Sequence, residues 1–237
     1  MHFNQGYIDF FNQLDKNNNK RWFNDNRKWY ELAVREPFKE LIDDLLPSIK
    51  KIDTGINMQS KDALFRVNRD LRFSTDKKPY KTHMAAGFSR GGKKSQFAGF
   101  YLQIGLRHIV IGGGVPFLEK ETLRKIRIEI GYNGEEFRRI INEPDFKSIF
   151  GFIHGETEKK VPKSFVEIQE DFPVIANKQF YYGTLYKTEN WLFKKELLEL
   201  IIDDFRAGID FNNFMIKAIS NFSEPDIHKP VRKVLEY

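Results

Sequence analysis

The chain has 237 residues, 41% of them hydrophobic and 30% charged, with 23 phenylalanines. That composition supplies a sizeable core and argues against disorder. There is no cysteine, which excludes disulfides, thiolate nucleophiles and cysteine-ligated zinc and agrees with a reducing, cytoplasmic setting. The formal net charge is +6, and its distribution is regional: Ser60–Lys94 carries ten Lys/Arg against three aspartates, so that the rest of the chain is close to neutral. A basic region of this kind suits an anionic partner.

In chain order, Tyr7, Phe10, Phe11 and Leu14 recur at helical spacing, and Asn17–Asn19 offer a cap for a second helix from about Lys20. Trp22, Phe23, Trp29 and Tyr30 form a stripe on that helix, which reads as core packing rather than a base-stacking platform. Pro37 opens a new turn, and the pattern continues through Leu46 to Pro47. The period then changes. "LFRV" at 64–67, "KTHMAAGF", "FAGFYLQIGL" and "HIVIGGGV" read as strands, and their short connections predict antiparallel neighbours. Glu119–Ile130 returns to a helix that Gly131 is placed to stop. Asn133 and Glu136 suggest a capped helix to Ile141, ended by Pro144. The stretch 146–180 is the least legible; "SFVEI" within it reads as a strand, as does "FYYGTLYK" after it. Helices follow over about 191–205 and 211–219, and the polar tail beyond about 225 is expected to be loosely held.

The expected architecture is one α+β domain over 1–237, a mainly antiparallel central sheet covered by N-terminal and C-terminal helices. No apolar run reaches the roughly 18 residues of a membrane span, and the start "MHFNQGYIDFFNQLD" does not read as an export signal. A cytoplasmic protein with no membrane partner is the expectation.

The chemistry concentrates in "RVNRDLRFSTDKKPYKTH", residues 66–83. Arginine presents a planar fork of donors suited to carboxylate or phosphate, and lysine and tyrosine add a point charge and a hydroxyl. Arg66, Arg69, Arg72, Lys77, Tyr80 and Lys81 are therefore the candidate ligand-binding residues. Asp70 would orient the arginines, and His83 is the candidate acid–base group, with Asp70 the second proton-transfer candidate. The bland alternative is that Asp70 and Asp76 pair with the arginines and tie the loop together.

Gly112–Gly114 lack the spacing of a dinucleotide or phosphate loop and instead suggest close backbone approach at the border of the same pocket. The five histidines show no metal-ligand spacing, and "HGE" at 154–156 supplies two candidate ligands, too few for a site. Mg²⁺ would enter only together with a phosphorylated ligand.

"NNNKRWFNDNRKWY" at 17–30, "LFRVNRDLRFSTDKKPYKTH" at 64–83, "GFYLQI" at 99–104 and "GGGVPFLEKETLRKIR" at 112–127 together resemble the bacterial and fungal family catalogued as domain-of-unknown-function family 2461. The match spans roughly the first 140 residues in family order. Its signature corresponds here to Arg66, Arg69, Asp70, Arg72, Phe73, Ser74, Asp76, Lys77, Pro79, Tyr80 and Lys81. The family's lysine–proline–glycine segment is looser in this chain, at "KKVPKSF". The resemblance implies a single soluble domain and brings no activity.

The functional expectation is a binder of a small phosphorylated or carboxylated ligand. If it catalyses, the arginines would stabilise anionic charge while His83 or Asp70 moves a proton. The alternatives are a nucleic-acid-binding module, supported only by the regional charge, and a structural or protein-interaction domain with an internal salt-bridge network.

Overall fold

In helix α1 (Gln5–Lys16) the apolar residues fall on one face, and that face is buried: Tyr7, Phe10, Phe11 and Leu14 are fully enclosed. Asn4 caps its start, accepting from the Gly6 amide, and Asn19 caps α2 (Lys20–Asp25), accepting from Trp22. Helix α3 (Arg27–Tyr30) passes through a π-turn at Glu31–Arg35 into α4 (Glu36–Ile52), which continues beyond Pro47. The Trp22–Tyr30 stripe packs in this N-terminal core as expected, with Phe10 in ring contact with Trp22, Phe23, Trp29 and Tyr30. The computed structural model describes residues 1–72 and 74–220; Phe73 of the signature and the tail expected to be loose beyond about 225 lie outside the described residues.

After α5 (Ser60–Ala63) come strands β1 (His83–Ser89), β2 (Gly99–Gly105) and β3 (His108–Val115), and later β4 (Phe180–Lys187). They form one four-stranded antiparallel sheet in sequential order. The fold is thus α+β, with a central antiparallel sheet and flanking helices.

Strand alternation sorts the two faces. Cross-strand partners Phe88, Phe100, Gly113 and Tyr182 share one face, as do Leu102, Ile111 and Thr184. The N-terminal helices and α11 (Leu197–Ala207) cover one end of that face. Helices α6 (Lys120–Tyr132), α7 (Gly134–Ile141), α8 (Pro144–Phe150) and α12 (Ile209–Ser220) cover the other. Among the described residues no helix layer covers the opposite face of the sheet, and the trough lies there.

Several local expectations need correction. "SFVEI" is helical, a 3₁₀ turn at Lys163–Phe165 running into α9 (Val166–Asp171). The reason is spacing: Phe165 and Ile168, three apart, are the buried pair, while Val166 is 48% exposed. "LFRV" is extended but not a strand. Leu64 bridges Ala86, and Asn68 then bridges Tyr80, so the segment leaves β1's edge before a ladder can form. Gly131 does not stop α6, which runs to Tyr132. Asn133 spends its side chain on Glu129 rather than capping α7. The helix expected from about Trp191 begins at Leu197, after a separate turn α10 (Thr188–Trp191).

Candidate functional site

The open sheet face is floored by small residues. Gly87, Gly112 and Gly183 lie in one cross-strand row with Tyr101, and Ala85, Gln103, Val110 and Leu185 in the next. With little side-chain bulk on the floor, a trough of about 560 Å³ remains, within the range of small-molecule sites. Its lining is dominated by carbon. Phe65 stands on one side, against Tyr101 with ring centroids 6.3 Å apart. Phe117, Tyr181 and His154 stand on the other, with His154 stacked on Tyr181 at 5.6 Å.

Each wall is held from behind. The Phe65 wall leans on β1 through the Phe65 amide, which donates to Ala85. The β1–β2 connection, carrying Lys93, Ser95 and Phe97, is fixed by Ser89 and Ser95 hydroxyls 2.6 Å apart. At its base Arg90 pairs with the buried Asp53 at 2.9 Å. On the far side His154 and Tyr181 exchange backbone hydrogen bonds. The segment behind them is clamped by Arg127, 3% exposed, which donates to the carbonyls of Ile175 and Asn177 and to Glu158. Gly114 has φ +105°, a left-handed conformation that suits glycine and lets β3 turn out toward Pro116 and Phe117.

The charged cluster divides into two parts. Arg69 bonds Asp76 at 2.5 Å, with Ser74 and the Lys78 carbonyl as further acceptors. Arg72 forms a two-pronged pair with Asp70 at 2.6 and 3.0 Å. The Arg72 guanidinium holds the Asp70 carboxyl at a pKa of about 2, and the Lys78 amide, then Arg69, hold Asp76 below the usual range. Lys77 reaches the Leu71 carbonyl at 3.5 Å. Tyr80 is buried, stacked on Phe23 at 4.0 Å. These residues form internal salt bridges and loop contacts around 69–80.

Arg66 and Lys81 behave differently. Lys81 lines the trough with its Nζ 5.8 Å from the Phe65 ring centroid. Among the described residues neither Arg66 nor Lys81 makes a side-chain hydrogen bond or ion pair. Partial burial, then the neighbouring Arg66 charge, push the Lys81 ammonium below its ordinary pKa. Lys93 is the second ammonium over Phe65, at 5.8 Å, but it is held by the Leu64 carbonyl at 2.6 Å.

His83 follows Lys81 by two positions, on the same side of β1 as Ala85 and Gly87. Burial, then the Lys81 charge, push it down to about 4, so it is neutral at physiological pH. Of the candidates, Lys81 alone lines the trough; Arg66 and His83 lie within electrostatic reach of it without lining the trough, and Asp70, Arg69, Arg72, Lys77 and Tyr80 sit in the adjoining loop.

Phe65, Tyr101, Phe117, Tyr181 and Leu185 are not among the residues singled out from the sequence, and Gly112–Gly114 line the trough without the arginines Arg66, Arg69 and Arg72. Among the described residues no group of three or more His, Asp or Glu is placed to hold a metal, and no helix is long and apolar enough to cross a membrane.

Comparison with protein families gives a match over residues 6–214 to the model described as "Conserved hypothetical protein (DUF2461)". No curated protein matches the chain.

Proposed function

Since the chain belongs to the DUF2461 family, whose description carries no activity, we propose a function from the trough itself: it binds a small carboxylated or phosphorylated ligand with an apolar, ring-bearing body. The ring lies on the glycine floor between Phe65, Tyr101 and Tyr181, where aromatic contacts favour offset or edge-on stacking. The anion meets Lys81 and Arg66. The observation that carries this reading is the Lys81 ammonium, which is partly desolvated, has no acid partner among the described residues and faces an apolar cavity. A desolvated charge is costly unless paired, so an incoming anion gains from an arrangement that the free protein leaves uncompensated.

The loop pairs Arg69–Asp76 and Arg72–Asp70 serve this reading by shaping the segment that carries Arg66 and Lys81. Arg69's amide donates to Pro79, and Lys81's amide donates to Val67, so the two ends of the loop run side by side.

The test is displacement of the anionic fluorophore 8-anilinonaphthalene-1-sulfonate from the folded protein by a panel of ring-bearing carboxylates and phosphates. Binding that is lost in Gly183→Leu and weakened in Lys81→Gln supports the placement. A fluorophore that binds both variants as it binds the parent rejects it.

A further inference from the structure

We propose that the Lys81 amine is a nucleophile that condenses with a carbonyl carried by the ligand, so that the trough takes ring-bearing 2-oxo acids and holds them as an imine. This inference rests on the reading of the trough as an anion-binding site and goes beyond it by naming the reacting group.

Two lysines line the trough, Lys81 and Lys93, and their surroundings differ from those of lysines held in ion pairs. Lys39, Lys78 and Lys217 each sit on a carboxylate, and Lys93 is tied to a carbonyl oxygen. Among the described residues the Lys81 amine has neither kind of partner, and it faces carbon on the trough side, with Phe65 beneath it. Among the described residues, the charged and titratable groups around it are Arg66 from the preceding extended segment, Lys93 across the Phe65 ring and His83 at the start of β1. None is an acid.

A like charge and partial burial each disfavour the ammonium and so raise the share of nucleophilic amine. Arg66 disfavours the ammonium, and in this proposal its fork would take the carboxylate of a 2-oxo acid whose carbonyl lies next to Nζ. The neutral imidazole of His83 adds no further positive charge.

The step balances without an oxidant or reductant. The Nζ lone pair attacks the carbonyl carbon, and the C=O π electrons move to oxygen. Proton transfer from nitrogen to oxygen gives a carbinolamine. Loss of that hydroxyl as water forms the C=N bond. The sum is amine plus 2-oxo acid giving imine plus water.

The experiment incubates the full chain at neutral pH with phenylpyruvate, adds borohydride, and maps the resulting secondary amines by peptide mass spectrometry. The chain's remaining lysines serve as internal controls. In parallel, calorimetry measures binding of phenylpyruvate and of 3-phenylpropanoate, which has the ring and the carboxylate but no reactive carbonyl.

The expected result is adduct at Lys81 in about tenfold excess over an exposed lysine such as Lys50. 3-Phenylpropanoate should protect Lys81, and Lys81→Arg should show no adduct above the level of the exposed lysines. If both compounds bind but Lys81 is trapped no faster than the exposed lysines, the imine is overturned while the anion-binding trough stands. If neither compound binds and no site is trapped preferentially, both readings fall.

Discussion

The side chain of Asn18 brackets the backbone of Tyr80: its amide nitrogen donates to the Tyr80 carbonyl at 2.9 Å and its oxygen accepts from the Tyr80 amide at 3.0 Å. With Tyr80 stacked on Phe23, this pair joins the "NNN" stretch before α2 to the "PYK" stretch before β1, 62 residues later. Lys81 is the next residue. The backbone from which the Lys81 side chain leaves is therefore held in part by Asn18.

Replacing that asparagine tests the coupling. Asn18→Ala removes two partly buried hydrogen bonds and is expected to cost about 1–2 kcal/mol in urea unfolding. The same variant should bind ring-bearing carboxylates more weakly than the parent under conditions where both are folded. Unchanged affinity would separate Asn18 from the site.

The floor of the trough can be filled without disturbing the fold. A Cβ on Gly183 would meet only the Ile111 carbonyl at 3.4 Å and the Gly112 Cα at 3.9 Å, which are ordinary contacts. Gly183→Leu is expected to leave stability within about 1 kcal/mol of the parent while weakening binding of a ring-bearing anion by about tenfold or more. The checks are thermal unfolding and a calorimetric titration of the same preparation.

Much of this arrangement could be read from the residues, for reasons that differ by element. The first helices and the β1–β3 meander were legible because their apolar periods are long and uninterrupted. Phe165–Ile168 was not, since a short apolar run fits either period and only burial distinguishes them. The basic cluster was visible as charge, but its division was hidden. Whether Arg69 meets a ligand or Asp76 depends on how the loop closes, which spacing alone does not determine. The trough left a fainter signal in the alternate positions of four strands: Gly87, Gly99, Gly112, Gly114 and Gly183 are glycine where a covered sheet face would carry large apolar residues. That pattern is recognisable only after the strand register is known.

Arg127 offers a prediction about the far wall. Buried and bonded to two carbonyls and Glu158, it is a case where removing one partner leaves the others unsatisfied. Arg127→Met is expected to lose about 3–5 kcal/mol in urea unfolding. A loss below 1 kcal/mol would mean that the segment carrying His154 is anchored elsewhere.

Asp204 predicts a pH dependence. It is 2% exposed and accepts from the Tyr186 hydroxyl at 3.0 and 3.2 Å. Burial is the main cause that raises its carboxyl to about 6. The folded protein therefore holds a proton that the unfolded chain releases near pH 4, so this group's contribution to stability falls as pH rises from about 4 to about 6. Asp204→Asn removes that penalty. Unfolding curves should show no gain in the variant at pH 4 and a gain of about 1–3 kcal/mol at pH 8. A gain of the same size at both values would assign the effect to something other than ionisation.

The central claim is that an anion is recognised by the Arg66 and Lys81 charges at the end of an apolar trough, and the most direct measurement is a matched calorimetric titration of 2-naphthoate and its neutral amide. In the parent the carboxylate should bind about tenfold tighter or better, a difference of about 1.4 kcal/mol, and in Arg66→Gln/Lys81→Gln the two should bind alike. Equal affinities in the parent, or a carboxylate preference that survives in the double variant, would contradict the account.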